Sequence, residues 1–217
     1  SEVQVAEVLK PGRSATHGLK HLGWAREVTL RRSDDDERNV ACQAWVLAQV
    51  EAPATVLVPG AGTATVTDYF EPIDSAHLDR RGNDLALGIT GKRRFKVGVR
   101  TGEHRGLIAC WRALEGGEAA LLVRYFHDTP SSRYLEEPPG KPGHEGDSLY
   151  VYNDDGRFGS FGEVEALGRA LEPTMEGVHD RFELHAWWGE RAALRALASR
   201  LLGMEATGEW AEHEEQR

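Results

Sequence analysis

Two glutamates on one face of a predicted strand are the clearest candidates for chemistry in this sequence. Glu163 and Glu165 alternate within segment 161–167, so their side chains point to the same side, about 7 Å apart. A carboxylate can remove a proton from a hydroxyl group, and two carboxyl groups can flank a bond that is cleaved. Glutamates at this spacing also occur on strand faces that contact only water, so a purely solvated role stays open for both.

A mechanism that moves a proton with a carboxylate base also needs an acid. His185, His17 and His127 are candidates, because an imidazole can titrate near neutrality. His17 and His21 form a small cluster before Trp24, which with a glutamate could bind a metal. A loop or strand-end role is the stronger interpretation of that cluster. We therefore expect no metal and no cofactor, with His185 as the first candidate for the acid.

Aromatic and polar side chains share strand faces at two places in the chain. Gln43 and Trp45 point to one side of segment 41–50, and His185 and Trp187 point to one side of segment 181–188. A flat indole beside amides and charges suits a polyol, because the ring stacks on a sugar's C–H face while polar groups bond its hydroxyls. The alternative is a solvated outer face with an occasional tryptophan covered by a loop or a helix.

Two basic residues lie on one face of another predicted strand. Arg94 and Lys96 alternate with apolar residues in segment 93–100. They could neutralise the carboxylate of an acidic sugar. The alternative is an ion pair with Glu163 or Glu165 across the sheet.

These residues require a framework of short strands. Apolar residues recur with a period of two along most of the chain, which predicts an all-β sandwich or barrel. The sequence Glu115-Gly116-Gly117 is a hairpin signal. Alternating β-α units, which mark a parallel sheet, are missing. The predicted strands are 27–31, 41–50, 55–59, 64–70, 85–90, 95–101, 107–114, 119–127, 148–153, 161–167 and 181–188.

Three segments depart from the strand pattern. Residues 190–202 place leucines on one helical stripe and precede Gly203, a C-cap candidate, which predicts one C-terminal helix. Residues 128–147 contain four prolines and predict a long loop. We expect residues 1–203 to form a single domain and the acidic residues 204–217 to form a mobile tail.

Composition excludes several classes of protein. A net charge of -9 over 217 residues argues against a nucleic-acid partner. No apolar run approaches a membrane span, and no signal peptide is visible, so the compartment is weakly constrained and the cytoplasm is slightly favoured. Cys42 and Cys110 lie in apolar stretches without a second cysteine nearby and are expected to be buried free thiols.

A series of short motifs resembles two related protein families. Segment 93–99 is similar to the R-x-K-h-G strand of the DUF4380 and DUF6786 families, where h is apolar. Segment 41–59, with Trp45, resembles their W-S-L-T-Q-V…V-P strand pair. Gly146-Asp147, Tyr152-Asn153-Asp154 and segment 161–165 resemble their GD…YND…F-x-E-L-E series. The order and spacing agree over about two-thirds of the chain, from Cys42 to Trp188.

Those families resemble the galactose mutarotase (aldose 1-epimerase) superfamily. The resemblance implies a β-supersandwich with a sugar bound on a concave sheet face. It also implies that Glu163 lies near the position of the mutarotase base, which removes the proton from the anomeric hydroxyl. The mutarotase strand with a histidine before an aromatic pair corresponds here to Gln43-Ala44-Trp45, which lacks histidine.

The sequence therefore predicts a protein that binds a sugar or sugar acid and acts on it as an epimerase with Glu163 as base. The two catalytic candidates are Glu163 and His185, and the substrate-binding candidates are Arg94, Lys96, Glu165, Trp45, Gln43, Asn153, Trp187 and His17. Two alternatives stay open. One is a non-catalytic carbohydrate-binding protein, and the other is an assembly module whose tryptophan-bearing face meets a protein partner.

Overall fold

The computed structural model describes residues 18–33 and 40–203. Within these ranges the chain forms twelve strands, a 3-10 turn at Glu115–Gly117 and one helix, α1, at Arg191–Leu202. The strands are β1 (Lys20–Arg31), β2 (Trp45–Glu51), β3 (Ala54–Val58), β4 (Val66–Asp68), β5 (Leu78–Arg81), β6 (Asp84–Ile89), β7 (Phe95–Arg100), β8 (Leu107–Ala113), β9 (Glu118–Phe126), β10 (Asp147–Asn153), β11 (Phe161–Leu167) and β12 (Gly177–Glu190).

The strands form two antiparallel sheets that pack face to face. The seven-stranded sheet has the order β1-β12-β9-β8-β3-β6-β5, and the five-stranded sheet has the order β2-β11-β10-β7-β4. This confirms the predicted all-β sandwich with a C-terminal helix.

Period-two alternation puts the main core between the sheets. Val97, Val151 and Val164 of the five-stranded sheet and Val56 and Ile108 of the seven-stranded sheet are buried in one cluster. Each of these strands therefore turns its other residues to an outer face. The two outer faces differ in what covers them.

Helix α1 covers the outer face of the seven-stranded sheet. Leu194 and Leu197 are buried against that sheet in a second apolar cluster. The Glu190 carboxylate caps the helix by accepting two backbone N–H groups at 2.9 Å, and Gly203 ends it in the left-handed region. The predicted helix and its glycine C-cap are confirmed.

The proline-rich segment between β9 and β10 covers part of the outer face of the five-stranded sheet. It contains no helix or strand, as predicted. Its Tyr134 is fully buried against Tyr69, Tyr150 and Leu167 in a third cluster. The rest of this face, which includes Trp45 and Leu47, stays open.

Several features differ from the sequence prediction, including the bounds of β4 and β12. Strand β5 was not predicted, and β1 begins at Lys20 rather than at residue 27. The expectation that Cys42 is buried was wrong, because β2 begins only at Trp45 and leaves Cys42 exposed, while Cys110 is buried as expected. His17 and the predicted tail 204–217 lie outside the described residues. No helix within the described ranges is long and apolar enough to cross a membrane.

Candidate functional site

A buried ion pair lies on the outer face of the five-stranded sheet. Lys96 of β7 and Glu165 of β11 face outward on either side of β10, and Lys96 Nζ lies 3.1 Å from Glu165 Oε2. Lys96 Nζ also donates to Glu136 Oε1 of the covering loop at 2.6 Å. Trp45 Nε1 donates to Glu165 Oε2 at 2.8 Å. We call these four residues the Lys96 cluster.

Burial gives the Lys96 cluster its electrostatic character. Glu165 is 1% exposed and Lys96 is 7% exposed. Burial raises the pKa of Glu165, and the neighbouring Lys96 charge and the hydrogen bonds from Lys96 and Trp45 oppose that rise. One ammonium group faces two carboxylates, so the cluster carries a formal charge of about -1 when both glutamates are ionised.

Aromatic rings surround the Lys96 ammonium group. Nζ lies 4.7 Å from the ring centre of Tyr150, 5.4 Å from that of Trp45 and 5.7 Å from that of Tyr69. A cation within about 6 Å of a ring face is attracted by the ring quadrupole. The rings therefore help to hold Lys96 in place.

The glycine of the 93–99 motif makes room for this packing. Gly98 follows Lys96 on the same outer face, opposite Tyr150 of β10. A Cβ atom at Gly98 would lie 2.5 Å from Asp147 Oδ2 and 2.8 Å from Tyr69 Cε2. The absence of a side chain lets the Tyr69 hydroxyl donate to Asp147 at 3.1 Å directly above the strand.

The open part of the same face carries a mixture of aromatic and polar groups. Trp45 is 57% exposed although its nitrogen is hydrogen-bonded. Gln49 Nε2 donates to Glu163 Oε1 at 3.3 Å on the neighbouring strand. The exposed Arg94 guanidinium lies 4.2 Å from the ring centre of Phe70. An indole, an amide, a carboxylate and a guanidinium thus lie on one face, with β11 and β10 between the Trp45 strand and the strand that Arg94 precedes.

Tyr152 lies between these groups and the Lys96 cluster. It pairs with Lys96 on one side and Glu163 on the other. Its hydroxyl donates to Asp154 Oδ1 at 2.9 Å. Burial and this hydrogen bond raise the pKa of Tyr152 to about 12, against the opposing charge of Arg94. Tyr152 is therefore a protonated phenol at neutral pH.

The structure brings most of the sequence-predicted residues together. The Lys96–Glu165 contact is the cross-sheet ion pair that the sequence allowed as an alternative to a ligand role. Gln43 Oε1 accepts from Leu135 N at 2.9 Å and so anchors the covering loop. The predicted residues on this face are Trp45, Arg94, Lys96, Glu163 and Glu165, with Gln43 at its border.

His185 and Trp187 lie on the opposite side of the molecule. Both belong to β12 of the seven-stranded sheet. Trp187 is fully buried in the cluster beneath α1. It is therefore a tryptophan covered by a helix, which was the alternative to a sugar-binding role. His185 Nδ1 lies 3.1 Å from His21 Nε2, and the two rings are stacked. Because the core separates the two outer faces, Glu163 and His185 do not form an acid–base pair within one site.

Asn153 has a structural position. It points toward the other sheet, and its Oδ1 accepts the backbone N–H groups of Thr90 at 3.1 Å and Gly91 at 3.0 Å. Its Nδ2 donates to Arg93 O at 2.7 Å. The amide thus fixes the turn between β6 and β7, and its hydrogen-bonding atoms do not reach the open face.

Sequence reasoning missed Glu136 and the two buried tyrosines, Tyr69 and Tyr150. Strand alternation could have placed Tyr150 with the polar face, because it shares parity with Tyr152 in β10. Glu136 lies in the proline-rich segment, where no periodic pattern predicts which way a side chain points. In the described part of the chain, no group of three or more histidine, cysteine, aspartate or glutamate side chains could hold a metal ion.

The fold and this face define an all-β sandwich protein with a buried lysine–glutamate cluster beside an exposed tryptophan. The chain belongs to the DUF6786 family, a family of unknown function, which matches residues 14–208. No curated protein and no solved structure matches the chain. Of the two families that the motif series resembles, DUF6786 is confirmed.

Proposed function

We propose that this protein binds a sugar or sugar acid on the outer face of the five-stranded sheet, between Trp45 and Arg94. The observation that carries the proposal is that Trp45 is both exposed and held in place by a hydrogen bond. Its indole is largely exposed, yet its nitrogen is bound to the buried Glu165 carboxylate. An exposed ring held in a fixed orientation is a prepared stacking surface, since little side-chain freedom is lost when a ligand binds.

The neighbouring polar groups suit a polyol. Gln49 and Glu163 offer an amide and a carboxylate to hydroxyl groups, and both keep capacity beyond their mutual hydrogen bond. Arg94 offers a guanidinium fork that matches a carboxylate, which favours a sugar acid over a neutral sugar. The Lys96 charge is already balanced by Glu165 and Glu136, so Arg94 is the stronger candidate for that contact.

The proposal extends to epimerase chemistry through Glu163. As a base, Glu163 would accept the proton of an anomeric hydroxyl, in line with the mutarotase-like motif series. Since His185 lies on the other sheet, the acid on this face would be the Tyr152 phenol, which would have to turn its proton from Asp154 Oδ1 to the sugar oxygen. A non-catalytic binder would need only Trp45, Arg94 and the hydroxyl-binding groups.

Calorimetry against a panel of neutral sugars and uronic acids tests binding. We expect Trp45→Ala to weaken the binding of any sugar on the panel by about tenfold or more, because stacking and fixed orientation are both lost. Trp24→Ala is the matched control, since Trp24 is also a strongly exposed indole but belongs to the seven-stranded sheet. Equal affinities for wild type and Trp45→Ala would refute the site.

Anomer exchange followed by NMR tests catalysis separately. We expect Glu163→Gln to keep binding and to lose the acceleration of exchange, while Gln49→Ala keeps part of it. Binding without acceleration in the wild type would leave the non-catalytic function. No binding of any sugar on the panel would overturn the proposal.

Exposed apolar groups on the same face favour a second candidate function, a protein-interaction module. Leu47 is exposed near Trp45 on β2, and Phe70 is exposed beside Tyr152 toward the other edge of the sheet. Exposed apolar side chains on one face often mark a protein interface. Size-exclusion chromatography with light scattering at several protein concentrations would reveal self-association, and Leu47→Ser should abolish it if this face is the interface.

A further inference from the structure

A cleft opens between the two sheets at one edge of the sandwich. It lies between β1 and β12 of the seven-stranded sheet and β2 of the five-stranded sheet, and its volume is about 310 Å³. Its apolar walls include Trp24, Leu122, Phe182 and Leu184. We call it the edge cleft. Because β1 is the last strand of the wider sheet, Trp24 stays 48% exposed beside the cleft.

A buried arginine projects into the edge cleft from β9. Arg124 shares strand parity with the core residue Phe126, so it points between the sheets, and it is only 2% exposed. Its Nη1 donates to the backbone oxygen of Val46 at 2.8 Å. Its Nε is buried and has no hydrogen-bond partner. A buried guanidinium with an unpaired donor is costly unless an acceptor completes it.

Among the residues that the structure describes, Arg124 forms no ion pair, although the Glu165 carboxylate attracts its charge from further away. Arg26 lines the same cleft, and its charge opposes that of Arg124. Burial and Arg26 lower the pKa of Arg124 to about 10, which leaves it charged at neutral pH. The acidic residue at the cleft, Glu183, is bonded to Arg181 Nε at 2.9 Å. The edge cleft therefore combines apolar walls with two cations, one of which, Arg124, keeps an unpaired Nε donor.

We infer that the edge cleft is a second ligand site, which binds an amphipathic monocarboxylate. The carboxylate meets Arg124 and Arg26, and the apolar part of the ligand lies against Trp24, Leu122 and Phe182. A planar carboxylate is the anion that best matches the guanidinium fork and can supply the acceptor that Arg124 Nε lacks. This inference does not rest on the proposed sugar site, although Gln49 lines the edge cleft as well as the open face.

The size of the cleft limits the ligand. A cavity of about 150 Å³ lined by apolar side chains accepts benzene. A cleft of about 310 Å³ thus accommodates about a dozen non-hydrogen atoms. Octanoate, a medium-chain carboxylate, fits that size and serves as a probe.

Calorimetry on the full-length protein tests the inference with octanoate and, as its neutral counterpart, 1-octanol. We expect octanoate to bind the wild type about tenfold more tightly than octanol does, because a charge-assisted hydrogen bond is lost in the alcohol. Arg26→Gln should weaken octanoate binding by about tenfold and leave octanol binding unchanged. Trp24→Ala should weaken the binding of both.

Matched controls separate this site from general charge effects and from the sugar site. Arg157→Gln removes an exposed arginine that does not line the cleft and should not change octanoate binding. Trp45→Ala should not change it either. Arg124→Met tests the buried cation directly, and Arg26→Gln, an exposed position, keeps the test valid if Arg124→Met does not fold. Absence of octanoate binding at millimolar concentration, or equal affinities for wild type and Arg26→Gln, would overturn the inference.

Discussion

Replacing Lys96 by methionine would test the central claim about the Lys96 cluster, that its charges are buried and depend on one another. Methionine keeps the length and apolar stem of lysine but removes the ammonium group. Glu165 would then retain only the hydrogen bond from Trp45 Nε1, at 1% exposure. Glu136 would lose its partner too, but it is partly exposed and can turn to water.

The expected loss of stability is large because removing one partner of a buried ion pair destabilises a protein more than replacing both partners does. Removing one partner of a buried pair typically destabilises a protein by about 3–5 kcal/mol, because the remaining charge is left uncompensated. For a chain of this size, a loss of about 3–5 kcal/mol lowers the melting temperature by about 6–20 °C. The double variant Lys96→Met/Glu165→Leu removes both charges and should recover most of the loss, since well-packed apolar replacements of buried pairs are often neutral.

Urea unfolding at pH 7.5 and pH 5.0 measures the effect and its origin. Burial raises the pKa of Glu165, so the folded state takes up a proton at a pH where the unfolded chain does not. Stability from such a group is present at low pH and is lost as pH rises through the folded-state pKa. The deficit of Lys96→Met should therefore be smaller at pH 5.0. A loss below about 1 kcal/mol at pH 7.5, or a double variant no more stable than the single one, would refute this account, because exposed pairs contribute about that much.

Two further predictions concern Gly98, beside the Lys96 cluster, and the buried His104. Gly98→Ala should destabilise the fold by about 1–3 kcal/mol, because its Cβ would overlap the Asp147 carboxylate and the Tyr69 ring, whereas the control Gly88→Ala should be tolerated. The buried His104, whose pKa is lowered by burial, should make stability fall as pH drops below about 6.5, since the unfolded chain binds the proton first.

Simple measurements decide both outcomes. Thermal melts of the two glycine variants should differ, and equal melting temperatures would contradict the packing argument at Gly98. For His104, the slope of stability against pH between 7 and 5 should decrease in His104→Gln. The lost contact is the hydrogen bond from Gly106 N to His104 Nδ1 at 3.0 Å, which a protonated ring cannot accept.

The sequence predicted the sandwich because strand alternation is strong wherever a strand has one buried face. Segment 161–167 was predicted with its final bounds because Val164 and Ala166 alternate with Glu163 and Glu165. Strand β5 was missed because it lies at a sheet edge and its sequence, LDRR, offers one apolar residue and no alternation. The first half of β1 was missed because its side chains are all exposed, so no alternation of buried and exposed residues marks it as a strand.

The candidate site was predicted only in part for a different reason. Alternation assigns residues to a face of their own strand, and that sufficed to group Arg94 with Lys96 and Glu163 with Glu165. It does not say which sheet a strand joins, so His185 was assigned to the same site as Glu163 although β12 belongs to the other sheet. Sheet order depends on contacts between distant segments, which no local pattern records.

The covering loop also has a consequence for how such a protein could diversify. Its Tyr134 packs in a cluster separate from the two that hold the sandwich and the helix together. Glu136, which sets half of the charge balance around Lys96, comes from this loop and not from a strand. Insertions or substitutions between β9 and β10 can therefore change the depth and charge of this surface without changing the packing of the main core. Related chains can therefore differ in the shape and charge of this face through this one segment.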